Sequence, residues 1–276
     1  MSGAPAEVIA PSELRPTHSG SFDRAAVAHL RDVTLHLVGR ELAVRYRGSL
    51  LGWLWSLSPA LLQLVVTQFL FTRIIPLGVS NYPVFLLVGI LSWNCFSSGL
   101  LTATSTLEAR RNLVLRPGFP TMLLPVVSIL VAFVDYLIAL PILFAALALT
   151  TDVTPQSALL PLLLLIQLVL SAGIALLVSP LQLFFKDVRQ FVVTGVSLGF
   201  WLTPIFYRQR QVPAALKPLY QYNPMANLIE SQRGILLEGK LPSALSVVAV
   251  AAAAVIVLAG GVAVFAALRH TLPEKI

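Results

Sequence analysis

Six apolar runs dominate this chain and leave little freedom in what it can fold into: Leu51 to Phe71, Val84 to Thr106, Leu123 to Leu149, Ala158 to Phe185, Phe191 to Tyr207 and Ala244 to Leu268. About 20 apolar residues wound as a helix cross a hydrocarbon core of roughly 30 Å, and hydrocarbon requires each backbone N–H and C=O to be paired within the segment. Hydrophobic residues make up 57% of the chain and charged ones only 11%. A water-soluble globule of 276 residues would lack the charge to cover its surface. The expected class is therefore an all-α membrane protein with six transmembrane helices. The third and fourth runs exceed a perpendicular span, so tilt or a kink at Pro125, Pro141 or Pro161 is expected.

The first 20 residues, with three prolines and no apolar core, read as a disordered cytosolic lead rather than a signal peptide. Over residues 21–50, Ala26, Leu30, Val33, Leu37 and Val44 share one narrow helical stripe, broken by Glu41. That predicts an amphipathic helix lying on the membrane surface, or else one packed on cytosolic protein. A six-helix transmembrane domain (51–268) and a cytosolic tail (269–276) follow. Counting Lys and Arg on alternate sides of the spans puts 13 of the 19 with the N-terminal segment, the 107–117 loop, the 186–189 turn and the tail. Basic residues gather on the cytoplasmic side, so both termini are expected there. The same bias accounts for most of the net charge of +7 without nucleic acid.

Between spans five and six, Arg208 to Leu241 is too long for a turn and too apolar for a solvated loop. Its two semi-apolar stretches, split by Tyr222-Asn223-Pro224, predict two short re-entrant helices, or a hairpin lying on the surface. No internal repeat supports an inverted-repeat carrier. One Cys rules out an internal disulfide and a cysteine metal cluster, and no metal site is expected. A membrane-embedded enzyme would need a nucleophile and base, or a metal pair. The four histidines, His18, His29, His36 and His270, all lie outside the spans, and neither H-E-x-x-H nor G-x-S-x-G occurs. Asp135 is the one acid well inside a span; it must face the bundle, be paired or be protonated, because an ionised Asp at midplane costs about 2.5–3.5 kcal/mol. Gln63, Gln68, Asn94 and Gln167 are expected to bond helix to helix.

Four stretches carry a resemblance. They are Arg40 to Trp55 (RELAVRYRGSLLGWLW) followed by Pro59, Phe184 to Gln190 (FFKDVRQ), Trp201 to Tyr207 (WLTPIFY) and Tyr222 to Met225 (YNPM). In that order and spacing the chain resembles the ABC-2 type permease subunits of exporters of lipid-linked polysaccharide, the O-antigen and teichoic-acid permeases. The resemblance implies a homodimer paired with two copies of an ABC ATPase subunit in the bacterial inner membrane, moving a polymer on an undecaprenyl-type lipid. A teichoic acid, a drug or a small lipid remains an alternative cargo. No G-x-x-x-x-G-K-[ST] loop is present, so this chain needs no cofactor of its own, and ATP and Mg belong to the partner.

Arg40, Arg45, Tyr46, Arg47, Trp53 and Trp55 then stand at the lip where an anionic pyrophosphate headgroup would enter, each cation near an anionic surface adding about 1 kcal/mol of attraction. In the family the loop between spans two and three couples to the ATPase. Here it holds Glu108, Arg110, Arg111, Asn112, Leu113, Leu115 and Arg116, and Leu113 to Leu115 are expected to be exposed for docking. Sugar C–H faces stack on aromatic rings, which makes Phe69, Phe71, Phe200, Trp201, Phe206, Tyr207 and Tyr222 channel-lining candidates beside Asp135. Interfacial placement would explain the same rings.

Overall fold

A computed structural model describes residues 24–48, 54–74, 81–150 and 154–275. The N-terminal lead and Trp53 lie outside these residues. Among those described the chain is helical, and five helical segments are long and apolar enough to cross a membrane. These are α2 (Leu54–Phe69) with its π-helical end Leu70–Ile74, α3 (Tyr82–Ala109), α5 (Leu123–Thr150), α6 (Leu160–Phe184) with a preceding 3-10 turn, and α10 (Ala244–Leu268). The remaining helices are α1 (Arg24–Tyr46), α4 (Arg111–Val114), α7 (Asp187–Leu202), α8 (Lys217–Gln221), α9 (Pro224–Leu237) and α11 (Leu272–Lys275).

The expected fifth span differs. Helix α7 has 16 residues, or about 24 Å at 1.5 Å per residue, short of the roughly 30 Å core. Its end is set by Thr203-Pro204, since proline offers no N–H and disfavours helical backbone at the residue before it. The chain then runs buried and non-helical through Ile205 and Phe206. Pro161 lies in the first turn of α6, where a missing N–H is harmless, so it starts that helix rather than kinking it. Pro141 sits inside α5 and Pro180 inside α6.

Helix α3 is the central post. It packs on α2, α5, α6, α7 and α9, and Val84 to Leu91 are all buried. Helices α6 and α10 pack through glycine: a Cβ on Gly173 would sit 2.6 Å from the backbone N of Leu258, and one on Gly261 would strike the carbonyl of Gly173. Without water to drive apolar association, such close backbone approach supplies the dispersion contact that holds membrane helices together. A second cluster gathers Leu37, Leu107, Val114, Leu124, Phe265 and Leu272 at the end of the bundle that carries α4 and α11.

Helix α1 does not stand apart from this bundle. Leu37 is buried in the second cluster, with Val33, Val38 and Leu42 against it, while Leu30 and Val44 of the expected stripe are exposed. The inward face is thus set by Leu37 and its neighbours, and α1 runs along α5. Gly48, at φ 76°, takes the left-handed conformation just past the helix end, where glycine alone avoids a Cβ penalty.

Helix α9 is short, about 21 Å, and mostly buried against α3, α6 and α10. Asn223 is its N-cap: Oδ1 accepts from the N–H of Met225 at 3.0 Å and of Ala226 at 3.2 Å, and Pro224 occupies the first turn. The Tyr222-Asn223-Pro224 signal is therefore a helix start.

Candidate functional site

Where α1 ends, its last residues meet the middle of α5. Arg45 Nη1 donates to Asp135 Oδ2 and the Tyr46 hydroxyl donates to Asp135 Oδ1, so both carboxylate oxygens are engaged. The pair is unequal in exposure: the Asp135 side chain is 18% exposed and that of Arg45 42%. No cation inside a neighbouring span is needed, because the counter-charge arrives from the end of α1. One helical turn earlier, Glu41 pairs with Arg110 at 2.6 Å, a second tie between α1 and the α3–α4 junction.

These residues open on a cavity of about 520 Å³ between α1, α2, α3 and α5. Arg45, Tyr46 and Trp55, expected at the headgroup lip, share its wall with Asp135, expected in the channel, and with Gln63, Asn94 and Cys95. Arg40 and Arg47 do not line it. Both are exposed, and neither forms an ion pair among the described residues. The structure therefore separates the three arginines: Arg45 is held by a carboxylate, while Arg40 and Arg47 stand on the surface.

The loop expected to couple forms the four-residue helix α4 and its flanks. Glu108, Arg111, Asn112, Leu115 and Arg116 are exposed, while Arg110 is occupied by Glu41. Leu113 to Leu115 are not uniformly exposed as expected. Val114 is buried and Leu113 packs on the second cluster, so α4 is seated on the bundle and only Leu115 of the three projects.

The aromatic candidates divide in the same way. Phe71 stacks on Phe206 with ring centroids 5.5 Å apart, Phe200 meets Phe206 edge-on at 5.0 Å, and Trp201 leans on Phe206 at 5.3 Å. Tyr207 and Tyr220 share a hydrogen bond of 2.6 Å between their hydroxyls. Phe206 is buried, whereas Phe69, Trp201 and Tyr222 are exposed. This cluster closes around the break after α7.

Sequence reasoning missed two residues that organise that break. Arg233, on α9, is 3% exposed and forms no ion pair with a carboxylate among the described residues. Its guanidinium donates from Nε to the carbonyl of Phe85 at 3.1 Å, from Nη1 to that of Pro204 at 2.5 Å and from Nη2 to that of Ile205 at 2.6 Å, and it stacks 3.5 Å above the Phe85 ring. Carbonyls freed by the proline break are thus satisfied by a fork of fixed geometry. Beside it Gln232 accepts from Ser92 and donates to Gln167 at 3.1 Å, and Gln167 donates to the Ser92 carbonyl at 2.9 Å. Gln167 does bond helix to helix as expected. The available signal was spacing: Gln232 and Arg233 fall four residues after Leu228 and Ile229, on the apolar face of α9.

At the far end of α9, Glu238 lies between Lys240, 2.9 Å away, and Arg208. The hydrogen bond from Lys240 and the charge and hydrogen bond of Arg208 hold its carboxyl below the usual glutamate range, against a smaller opposing effect of burial.

Comparison with known proteins agrees with this architecture. Residues 33–237 match the family described as ABC-2 type transporter. The chain is 30% identical over 249 residues, 89% of its length and 96% of the relative's, to the O-antigen export system permease protein RfbA of Myxococcus xanthus. It is 29% identical over 218 residues, 78% of its length and 84% of the relative's, to a protein of the same name from Klebsiella pneumoniae. With a match across most of its length and an apolar helical bundle to carry it, the chain belongs to the ABC-2 type transporter family, multi-pass membrane proteins that serve as transport subunits.

Proposed function

We propose that this chain is the permease subunit of an ATP-driven exporter that moves undecaprenyl-linked polysaccharide of the O-antigen type from the cytoplasm to the outer face of the inner membrane. The observation that carries the reading is its likeness to an O-antigen export permease over nearly the whole of both chains. In this reading two copies pair with two ATPase subunits, which hold ATP and Mg. Six segments cross the membrane, with α7 as a short fifth span and α8 and α9 re-entering from the outer side, and both termini are cytoplasmic. Supporting the re-entrant assignment, α9 is too short to cross and yet is mostly buried, with Gln232 and Arg233 paired inside the bundle.

Arg40 and Arg47 attract the pyrophosphate headgroup at the lip, while α4 and the residues just after it receive the push of the ATPase on the exposed Arg111, Asn112, Leu115 and Arg116. The test is removal of the gene from its host. Lipid-linked polymer should then accumulate on the cytoplasmic face and return to the outer face when the wild-type gene is restored. Unchanged surface polymer would refute the reading.

A further inference from the structure

We propose that the cavity between α1, α2, α3 and α5 is a subsite for a neutral, hydroxyl-rich ring, a sugar unit of the transported glycan. The proposal rests on the permease reading above and adds the chemistry that this cavity selects. Amide side chains inside an apolar bundle normally find each other, as Gln167 and Gln232 do here. Gln63 and Asn94 do not. Their side chains make no hydrogen bond among the described residues, and both stand in the cavity wall. Each amide offers donors and an acceptor together, which matches a hydroxyl group that is itself both.

Charge favours the same ligand. Asp135 already neutralises Arg45 and also receives the Tyr46 hydroxyl. A phosphate would have to share Arg45 with that carboxylate, and two anions would then stand side by side, each raising the cost of the other's charge. A sugar displaces nothing: its hydroxyls donate to the remaining lone pairs of Asp135 and bond to Asn94 and Gln63, while its C–H face rests against Trp55. The volume of about 520 Å³ falls in the range of roughly 300–1,000 Å³ that accepts a small ligand.

Cys95, the sole cysteine of the chain, lines this cavity and serves as a native reporter. The full chain is reconstituted in phospholipid nanodiscs free of sugar detergent. Its rate of modification by methyl methanethiosulfonate is then followed with octyl glucoside, octyl phosphate or octanol present. Glucoside is expected to slow modification saturably, while phosphate and octanol leave it unchanged. Asn94→Leu and Gln63→Leu should each raise the half-protecting glucoside concentration about three- to tenfold, the loss of one neutral hydrogen bond. If one variant fails to insert, the other and the three-ligand comparison on the wild-type chain decide.

Protection by phosphate alone would overturn the proposal in favour of an anion site. Equal protection by all three compounds would reduce the cavity to a place for alkyl chains, and no protection, or protection indifferent to both substitutions, would also overturn it. Export lost on gene removal but no protection sinks the subsite alone, whereas protection with export unaffected by gene removal sinks the permease reading alone.

Discussion

Breaking the tie between α1 and α5 separates its structural role from any role in transport. Arg45→Ala leaves an acid, 18% exposed, in the middle of α5 with the Tyr46 hydroxyl as its remaining partner among the described residues. An unpaired Asp at the centre of a membrane helix costs about 2.5–3.5 kcal/mol, and the retained hydrogen bond lowers the expected loss to about 2 kcal/mol. Asp135→Asn keeps an acceptor for Tyr46 and leaves Arg45, 42% exposed, free to swing toward water, so about 1 kcal/mol is expected. With both charges gone the double variant should lose about 1 kcal/mol rather than the sum of roughly 3, a coupling of about 2 kcal/mol. The assay is equilibrium unfolding of all four proteins in mixed micelles, followed by far-UV circular dichroism. Losses additive to within about 0.3 kcal/mol would refute the pairing.

Other substitutions reach the remaining parts of the account. Arg233→Met strands the Pro204 and Ile205 carbonyls of the α7 break, removes a donor from the Phe85 carbonyl of α3 and should lower stability by about 3 kcal/mol; Arg233→Lys, with a charge but no fork, should recover only part of that in the same assay. Gly261→Leu must separate α6 from α10, because even a Cβ meets the Gly173 carbonyl there, and should abolish a folded, protease-resistant core, whereas the same change at the open Gly260 should be tolerated. Arg111→Ala combined with Leu115→Ala should halt export while leaving unfolding unchanged, since both side chains are exposed; Leu113→Ala should instead weaken packing. Because the folded carboxyl of Glu238 titrates below the unfolded one, the stability it adds is full above the usual glutamate range and fades as pH falls through the lowered folded value. Glu238→Gln should flatten that acid limb in unfolding measured between neutral and acidic pH.

Much of the bundle was legible because apolar length is a local property. The boundaries of α5 and α10 fall within a residue of the runs that predict them. Span five was harder, since hydropathy runs on through Trp201 to Tyr207 with only Thr203 to interrupt it, while the helix stops at Leu202 ahead of Pro204. Site residues were recognisable individually but not in combination. Arg45 and Asp135 lie 90 positions apart, and nothing in either neighbourhood tells that α1 climbs α5 far enough for them to meet. For the same reason Asn94 and Gln167 look alike in sequence, although one faces a cavity and the other a partner amide. Arg233 reads as one more orientation charge until the freed carbonyls of Pro204 and Ile205 are seen around it.

Transport itself is tested most directly in proteoliposomes that hold this chain with its ATPase subunit and lipid-linked polymer loaded on the ATPase side. On addition of ATP and Mg, polymer should become accessible to a glycosidase on the opposite side, and the Arg111→Ala, Leu115→Ala double variant should hydrolyse ATP without that transfer. Polymer that stays on the loading side with the wild-type pair, while ATP is consumed, would contradict the account.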